Sequence, residues 1–215
     1  MTNHFISNFS LTGSPHVIIA FKRINREGNE HWLNKMAVNL TKRSDDEFPC
    51  GQLAHVELMF ENRGKWFRCS INKKTGTYDA KGKITWKAGT VHYKQVSETS
   101  MADYDYFEYK IDREKQRQIH NFCMSQMENT FNFWGYVLNF FIPFGRIGTR
   151  KYSNRLERKK AKWFCSELIV VALQSAGHSS FSELEARSIS PNELYRMCSR
   201  IDIPFICSPF IDIQI

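Results

Sequence analysis

The chain has 215 residues, which suits one domain, and its 17 Phe and 5 Trp supply bulk for a large core. Six cysteines lie scattered without a C-x-x-C pair, which argues against a zinc ribbon or a compact disulfide framework and points to a reducing compartment. The formal charge is +8, and Arg146–Lys162 carries eight basic residues against one acid, so the basic character belongs to one patch.

The first fifteen residues hold no continuous apolar run of the kind that directs secretion. His16–Lys22 alternates little and is apolar throughout its middle, which predicts a strand ended by Asn25, Glu27 and Gly28. Residues 29–50 are polar and mixed, and Lys42–Glu47 reads as a solvated loop. Leu53–Phe60 is the next strand. Glu61-Asn62-Arg63-Gly64 is a turn, and Lys65–Ile71 returns with Trp66, Arg68 and Ser70 on one face and Phe67, Cys69 and Ile71 on the other. Ile84–Trp86, Thr90–Val96 and Tyr104–Ile111 extend the meander, so the middle of the chain is expected to be an antiparallel sheet of about five strands.

Asp112 is placed to cap a helix running to Glu128, with Ile119, Phe122, Cys123 and Met127 on its buried stripe and His120 off it. Phe131–Phe144 is dense in aromatics but too short and interrupted to span a bilayer, so a soluble protein is expected. The basic run Arg146–Lys162 follows. Anionic lipid headgroups would fit it, nucleic-acid phosphates are the alternative partner, and a solvated loop is the ordinary fate of such a run. Near the end, Ser190, Pro191 and Glu193 form a capping-box pattern before a helix to Ser199. The proline-broken tail Ile203–Ile213 suits an edge strand or irregular cover.

Trp163–Ala172 carries the chemistry. Leu168–Ala172 is apolar on most sides of a helix that stops at Gly177, and this puts Cys165 in its first turn. Unpaired N–H groups and the positive end of the helix dipole converge there, which favours a thiolate and can hold an oxyanion. Such a nucleophile needs a base. Of seven histidines, His55 has an informative setting: Glu57 lies two residues on in the same strand, so both side chains share a face about 6–7 Å apart. A carboxylate beside an imidazole fixes its tautomer and stabilises the imidazolium. The bland alternatives are a core cysteine and a surface strand with two polar side chains. His92, on a later strand, is a further candidate for the third position.

The order, histidine on a strand first and cysteine opening a helix last, is the reverse of papain's. His55-Val56-Glu57-Leu58 and Phe164-Cys165-Ser166-Glu167-Leu168-Ile169, followed by Ile189-Ser190-Pro191-Asn192-Glu193-Leu194-Tyr195, resemble the circularly permuted papain-like branch of the NlpC superfamily. That branch includes the lecithin retinol acyltransferase group, bacterial lipoprotein-like hydrolases and poxvirus proteins. The likeness runs roughly over residues 51–200. It implies an α+β papain-like permuted fold with the nucleophile helix C-terminal to the sheet, residues 51–215 forming the catalytic domain and 1–50 adding a strand and a polar segment to it.

It also implies a Cys165–His55 pair with Glu57 as third residue, although some members use a residue on a neighbouring strand. The expected activity is cysteine-dependent hydrolysis or acyl transfer at an amide or ester bond, with no metal or cofactor required. Relatives often carry an aromatic segment beside the substrate cleft, which makes Trp134 and Tyr136, with Phe164, candidates for substrate binding, with core packing beneath the sheet as the alternative for the run. The expected substrate is an acylated small molecule, lipid or peptide. The expected setting is cytoplasmic with membrane association through the basic patch, or host cell or virion for a viral member. Loss of catalysis with retention of binding, or a basic nucleic-acid-binding module, are the alternatives in other classes.

Overall fold

Val17-Ile18-Ile19-Ala20-Phe21 is an unbroken apolar run, and a strand that is apolar at successive positions must bury both faces. Strand β1, His16–Arg23, accordingly lies inside a six-stranded sheet rather than at its edge. In the computed structural model, which describes residues 15–24, 32–44, 46, 52–62, 65–71, 74–78, 84–96, 104–132, 162–201, 203 and 205–206, this strand pairs on one side with β2, Leu53–Asn62. On its other side it pairs with the later strand Tyr104–Lys110.

Next in the chain come β3 (Lys65–Ile71), β4 (Lys74–Tyr78), β5 (Ile84–Ala88), β6 (Val91–Gln95) and β7 (Tyr104–Lys110). Two-residue strands β8 (Thr130–Phe131), β9 (Lys162–Trp163) and β10 (Phe205–Ile206) complete the set. The main sheet has the order β10-β7-β1-β2-β3-β6, and every neighbouring pair in it is antiparallel. The described helices are α1 (Trp32–Thr41), α2 (Arg113–Ser125), α3 (Cys165–Ser175), α4 (Ser179–Ser182) and α5 (Pro191–Arg200).

The α+β class and the antiparallel sheet packed against helices are as expected. The pleat sorts the apolar residues into two layers. Val17, Ile19, Phe21, Val56, Leu58 and Phe60 face the helices and share a core with α3. Ile18, Ala20, Met59, Trp66, Tyr104 and Tyr106 are buried on the opposite face. The tail does add an edge strand, since β10 pairs with β7.

Several local expectations are corrected. The strand expected at Ile84–Trp86 forms outside the main sheet: β5 ladders with its hairpin partner β4, and β3 takes β6 as its neighbour. Helix α1 occupies a stretch expected to be irregular. Leu33, Met36, Ala37 and Leu40 recur there at helical spacing among polar neighbours, and the helix packs against β2 and α5. Helix α2 keeps its Asp112 cap, whose side chain accepts from the Lys115 N–H, but ends at Ser125, and Glu128 turns away with φ of 71°. His120 is buried, not exposed: its ring meets Phe60 and Tyr93 edge-on at 5.4 Å, so the covered stripe of α2 is wider than its aliphatic residues suggested. At α5 the Ser190 hydroxyl accepts from the Glu193 N–H at 3.1 Å, while the Glu193 carboxylate turns to Arg43 and Arg196 instead of closing the box.

The stretch Lys42–Glu47 is not wholly solvated either. Asp46 is buried against Arg196, whose two guanidinium donors reach its two oxygens at 2.7 Å, and a third bond reaches the Thr41 carbonyl at 2.8 Å. This bidentate pair ties α5 to the end of α1 across 150 residues of sequence. Removing one partner would leave a buried charge. Arg196→Ala should therefore cost about 3 kcal/mol or more in urea unfolding, whereas Arg43→Ala, whose partner Glu193 is better solvated, should cost under about 1 kcal/mol.

Candidate functional site

The site begins with the pairing that places α3. Phe131 and Trp163 are neighbours in the parallel β8–β9 pair, and the Asn132 N–H donates to the Trp163 carbonyl at 2.7 Å. The Trp163 indole donates to Gln126 just past the end of α2 at 3.1 Å. The Phe131 N–H donates to the Gly89 carbonyl at 2.8 Å, which ties β8 to the strand entering the sheet at β6. These bonds hold the chain immediately before α3, so the first turn of the helix arrives at a fixed place beside β2.

Phe164 is the N-cap in extended conformation, with no side-chain cap, and Cys165 is the first helical residue. Residues Cys165 to Leu173 are all buried: the apolar ones join the helix-side core, the Ser166 hydroxyl donates to the Ile189 carbonyl, and the Glu167 carboxylate lies 3.3 Å from Arg187. The ladder of β2 with β3 runs only from Leu58–Cys69 to Asn62–Lys65, so β2 is not laddered to β3 before Leu58. It is here that Cys165 meets β2. The His55 ring and the backbone N–H groups of Val56 and Ser166 are the groups near the Cys165 thiol that favour its ionised form. Cys165 is 4% exposed and the His55 side chain 18%.

His55 and Glu57 share the sheet face opposite Val56 and Leu58. Nε2 of His55 lies 3.2 Å from Oε1 of Glu57 and 2.7 Å from Oγ of Ser70. The Ser70 hydroxyl donates to that same Oε1 at 3.0 Å, and the Tyr104 phenol does so at 3.2 Å. Arg68 stands 3.6 Å from Oε2. Glu57 is 2% exposed, and burial by itself would raise its pKa. The His55 hydrogen bond and charge, with Arg68 and Ser70, reverse this and hold the carboxyl down to about 2. Burial also pulls on His55, towards the neutral ring. The Cys165 charge and hydrogen bond and then Glu57 outweigh it and push the imidazole up to about 10. For Cys165, burial disfavours the thiolate, but the charge and hydrogen bond of His55 and the two backbone N–H groups carry the pKa below that of an ordinary thiol.

Of the residues named from sequence, His55 and Glu57 lie 3.2 Å apart, and Cys165 is near enough to the His55 ring for each to shift the other's pKa. His92 lies one strand further out: on β6 it pairs with Ser70 of β3, its Nδ1 engages the Thr90 carbonyl at 3.3 Å, and burial lowers its pKa. Among the described residues no hydrogen bond joins it to the three. The Phe164 ring sits in the helix-side core. Trp134 and Tyr136 lie outside the described residues, as does the basic patch except for exposed Lys162.

Ser70, Arg68 and Tyr104 had not been named as site residues. The two-residue period had put Arg68 and Ser70 on one face of their strand, but their partner depends on register. Tyr104 is more distant: Ala20 of β1 pairs with Glu57 on one side and Tyr106 on the other, and its small side chain leaves room for the Tyr104 phenol to reach across β1.

Comparison of the chain with protein-family models, with curated proteins and with solved structures finds no match.

The Glu57 shift has a testable sign. A carboxyl held at about 2 when folded and near 4.5 otherwise contributes stability that is complete above about pH 4.5 and is lost as pH falls toward 2. In urea unfolding the advantage of wild type over Glu57→Gln should therefore be greatest near neutrality, at most about 3 kcal/mol, and should shrink steadily on acidification. An advantage independent of pH would mean that Glu57 is not ionised in the fold.

Proposed function

We propose that the protein is a cysteine-dependent hydrolase or acyltransferase acting on the carbonyl of an amide or ester. The observation that carries this reading is the electrostatic coupling of Cys165, at the first turn of a helix, to a His55 ring whose Nε2 lies 3.2 Å from Glu57. The order of the three residues, and the resemblance of their flanking motifs to the permuted papain-like branch of the NlpC superfamily, support it independently.

In the proposed reaction the Cys165 thiol gives its proton to His55. With Nε2 committed to Glu57 and Ser70, Nδ1 is the nitrogen that would take it. The thiolate attacks the carbonyl carbon, and the oxygen gains negative charge close to the positive end of α3, where the Cys165 N–H has no partner within the helix. The imidazolium then returns its proton to the departing amine or alkoxide, which leaves a thioester on Cys165. Water or another acceptor, deprotonated by His55, resolves the thioester and frees the sulfur. The aromatic run and basic patch of the sequence favour an acylated or membrane-associated substrate.

The near-complete burial of Cys165 favours one rival, a protein that keeps this arrangement for binding without turnover. An acyl-bearing, thiol-reactive probe decides between them. Wild type should be labelled at neutral pH, Cys165→Ala not at all, and His55→Ala about 10²–10⁴-fold more slowly. Equal labelling of wild type and Cys165→Ala would assign any reactivity to another cysteine, and no labelling of folded wild type would favour the binding role.

A further inference from the structure

The Ser70 hydroxyl lies between two groups that the proposed reaction uses, and its single proton can go only one way. Glu57 is an ionised carboxylate and so an acceptor only. The 3.0 Å contact between Ser70 Oγ and Glu57 Oε1 must therefore use the serine proton. The 2.7 Å contact with His55 Nε2 then leaves Oγ nothing but a lone pair to offer, and the proton in that bond must be on Nε2. Tyr104 cannot relax this constraint. Burial and the Glu57 charge keep its phenol protonated, and it too donates to Oε1.

We propose that Ser70 is a positioning residue that sets which nitrogen of His55 carries the proton, an assignment that deepens the Cys165–His55 reading and rests on it for its catalytic meaning. With Nε2 always protonated, the neutral ring presents a bare Nδ1 to the thiol, and after proton transfer the imidazolium keeps an acceptor for its Nε2–H. Glu57 alone could accept from Nε2 only over 3.2 Å, and it already accepts from Ser70 and Tyr104 at the same oxygen. Without the serine, the alternative tautomer with its proton on Nδ1 becomes accessible, and that ring cannot take a proton from sulfur on that side.

Ser70 is almost fully buried, so water does not readily replace its hydroxyl. The titratable groups facing the ring are Cys165 from α3, Glu57 from its own strand, Arg68 from β3 and Lys22, its register partner on β1; Tyr104 from β7 and His92 from β6 stand further out.

Two measurements test this. The first is the nitrogen-15 spectrum of His55 in a Cys165→Ala background, where no thiol takes part. With Ser70 present the neutral ring should be the Nε2–H tautomer. Ser70→Ala should bring in a substantial population of the Nδ1–H form, and Ser70→Thr, which keeps the hydroxyl, should suppress it. The second is the pH dependence of Cys165 alkylation by iodoacetamide in the otherwise intact chain. Ser70→Ala should move the acid limb up by about one pH unit, a tenfold loss of thiolate at fixed pH, and Ser70→Thr should restore it. A His55 ring protonated on Nδ1 with Ser70 present overturns the proposal without recourse to any Ser70 variant, as does a tautomer that Ser70→Ala leaves unchanged. Failure of the dyad looks different: Cys165 would then alkylate as an ordinary thiol regardless of His55→Ala, while the tautomer measurement still decides the role of Ser70.

Discussion

A carboxylate sealed inside a sheet is the costly feature around which this structure is arranged. Moving an isolated carboxylate out of water is penalised so heavily that an unpartnered one would take up a proton. Glu57 remains ionised because four side chains from three strands converge on it: His55 from its own strand, Ser70 and Arg68 from β3, and Tyr104 from β7. The compensation depends on register. Moving β3 by one residue against β2 would turn Ser70 and Arg68 to the other face and leave the charge with a core cysteine as neighbour. The unbroken apolar run of β1 acts against such a slip, because β1 buries both of its faces and its small Ala20 sits opposite Glu57. Sheet register and site electrostatics are in this sense one constraint.

A second requirement is that the first turn of α3 reach the same strand. Nothing in the helix sequence specifies this. It follows from the short parallel pair β8–β9 and from the Trp163 indole, which fix the chain immediately before Cys165 against the end of α2. The helix then lies in a layer that is apolar except for Ser166 and the Arg187-paired Glu167, where it has little freedom to slide because interiors are close-packed. Two rigid placements, one from the sheet and one from the core, define where sulfur and imidazole meet.

What could be read from the chain divides along the same line. Period-two alternation was enough to put His55 and Glu57 on one face and Val56 and Leu58 on the other, and the capping signals at Asp112 and Ser190 located two helix starts. Helix α1 was missed because the polar residues around Leu33, Met36, Ala37 and Leu40 hid a helical period that the chain does carry. Tyr104 was missed because its role requires crossing an intervening strand, which neither composition nor spacing encodes. Asp46 had the look of one more charge in a polar loop, and only the fold brings Arg196 to it. Local period was legible; partners between strands and across 150 residues of chain were not.

Burial of the sulfur bears on how the proposed chemistry would be held in readiness. In a low-dielectric site a neutral thiol beside a neutral imidazole competes closely with the thiolate–imidazolium pair, since each isolated charge is disfavoured and only their attraction compensates. The pair lies between two fixed influences. On the histidine side, the permanent charge of Glu57 favours imidazolium. On the cysteine side, the N–H groups of Val56 and Ser166 favour thiolate. Neither influence requires a moving part, and both are present before any substrate arrives. Of the two, the histidine is the more exposed to solvent, with 18% of its side chain accessible against 4% for Cys165.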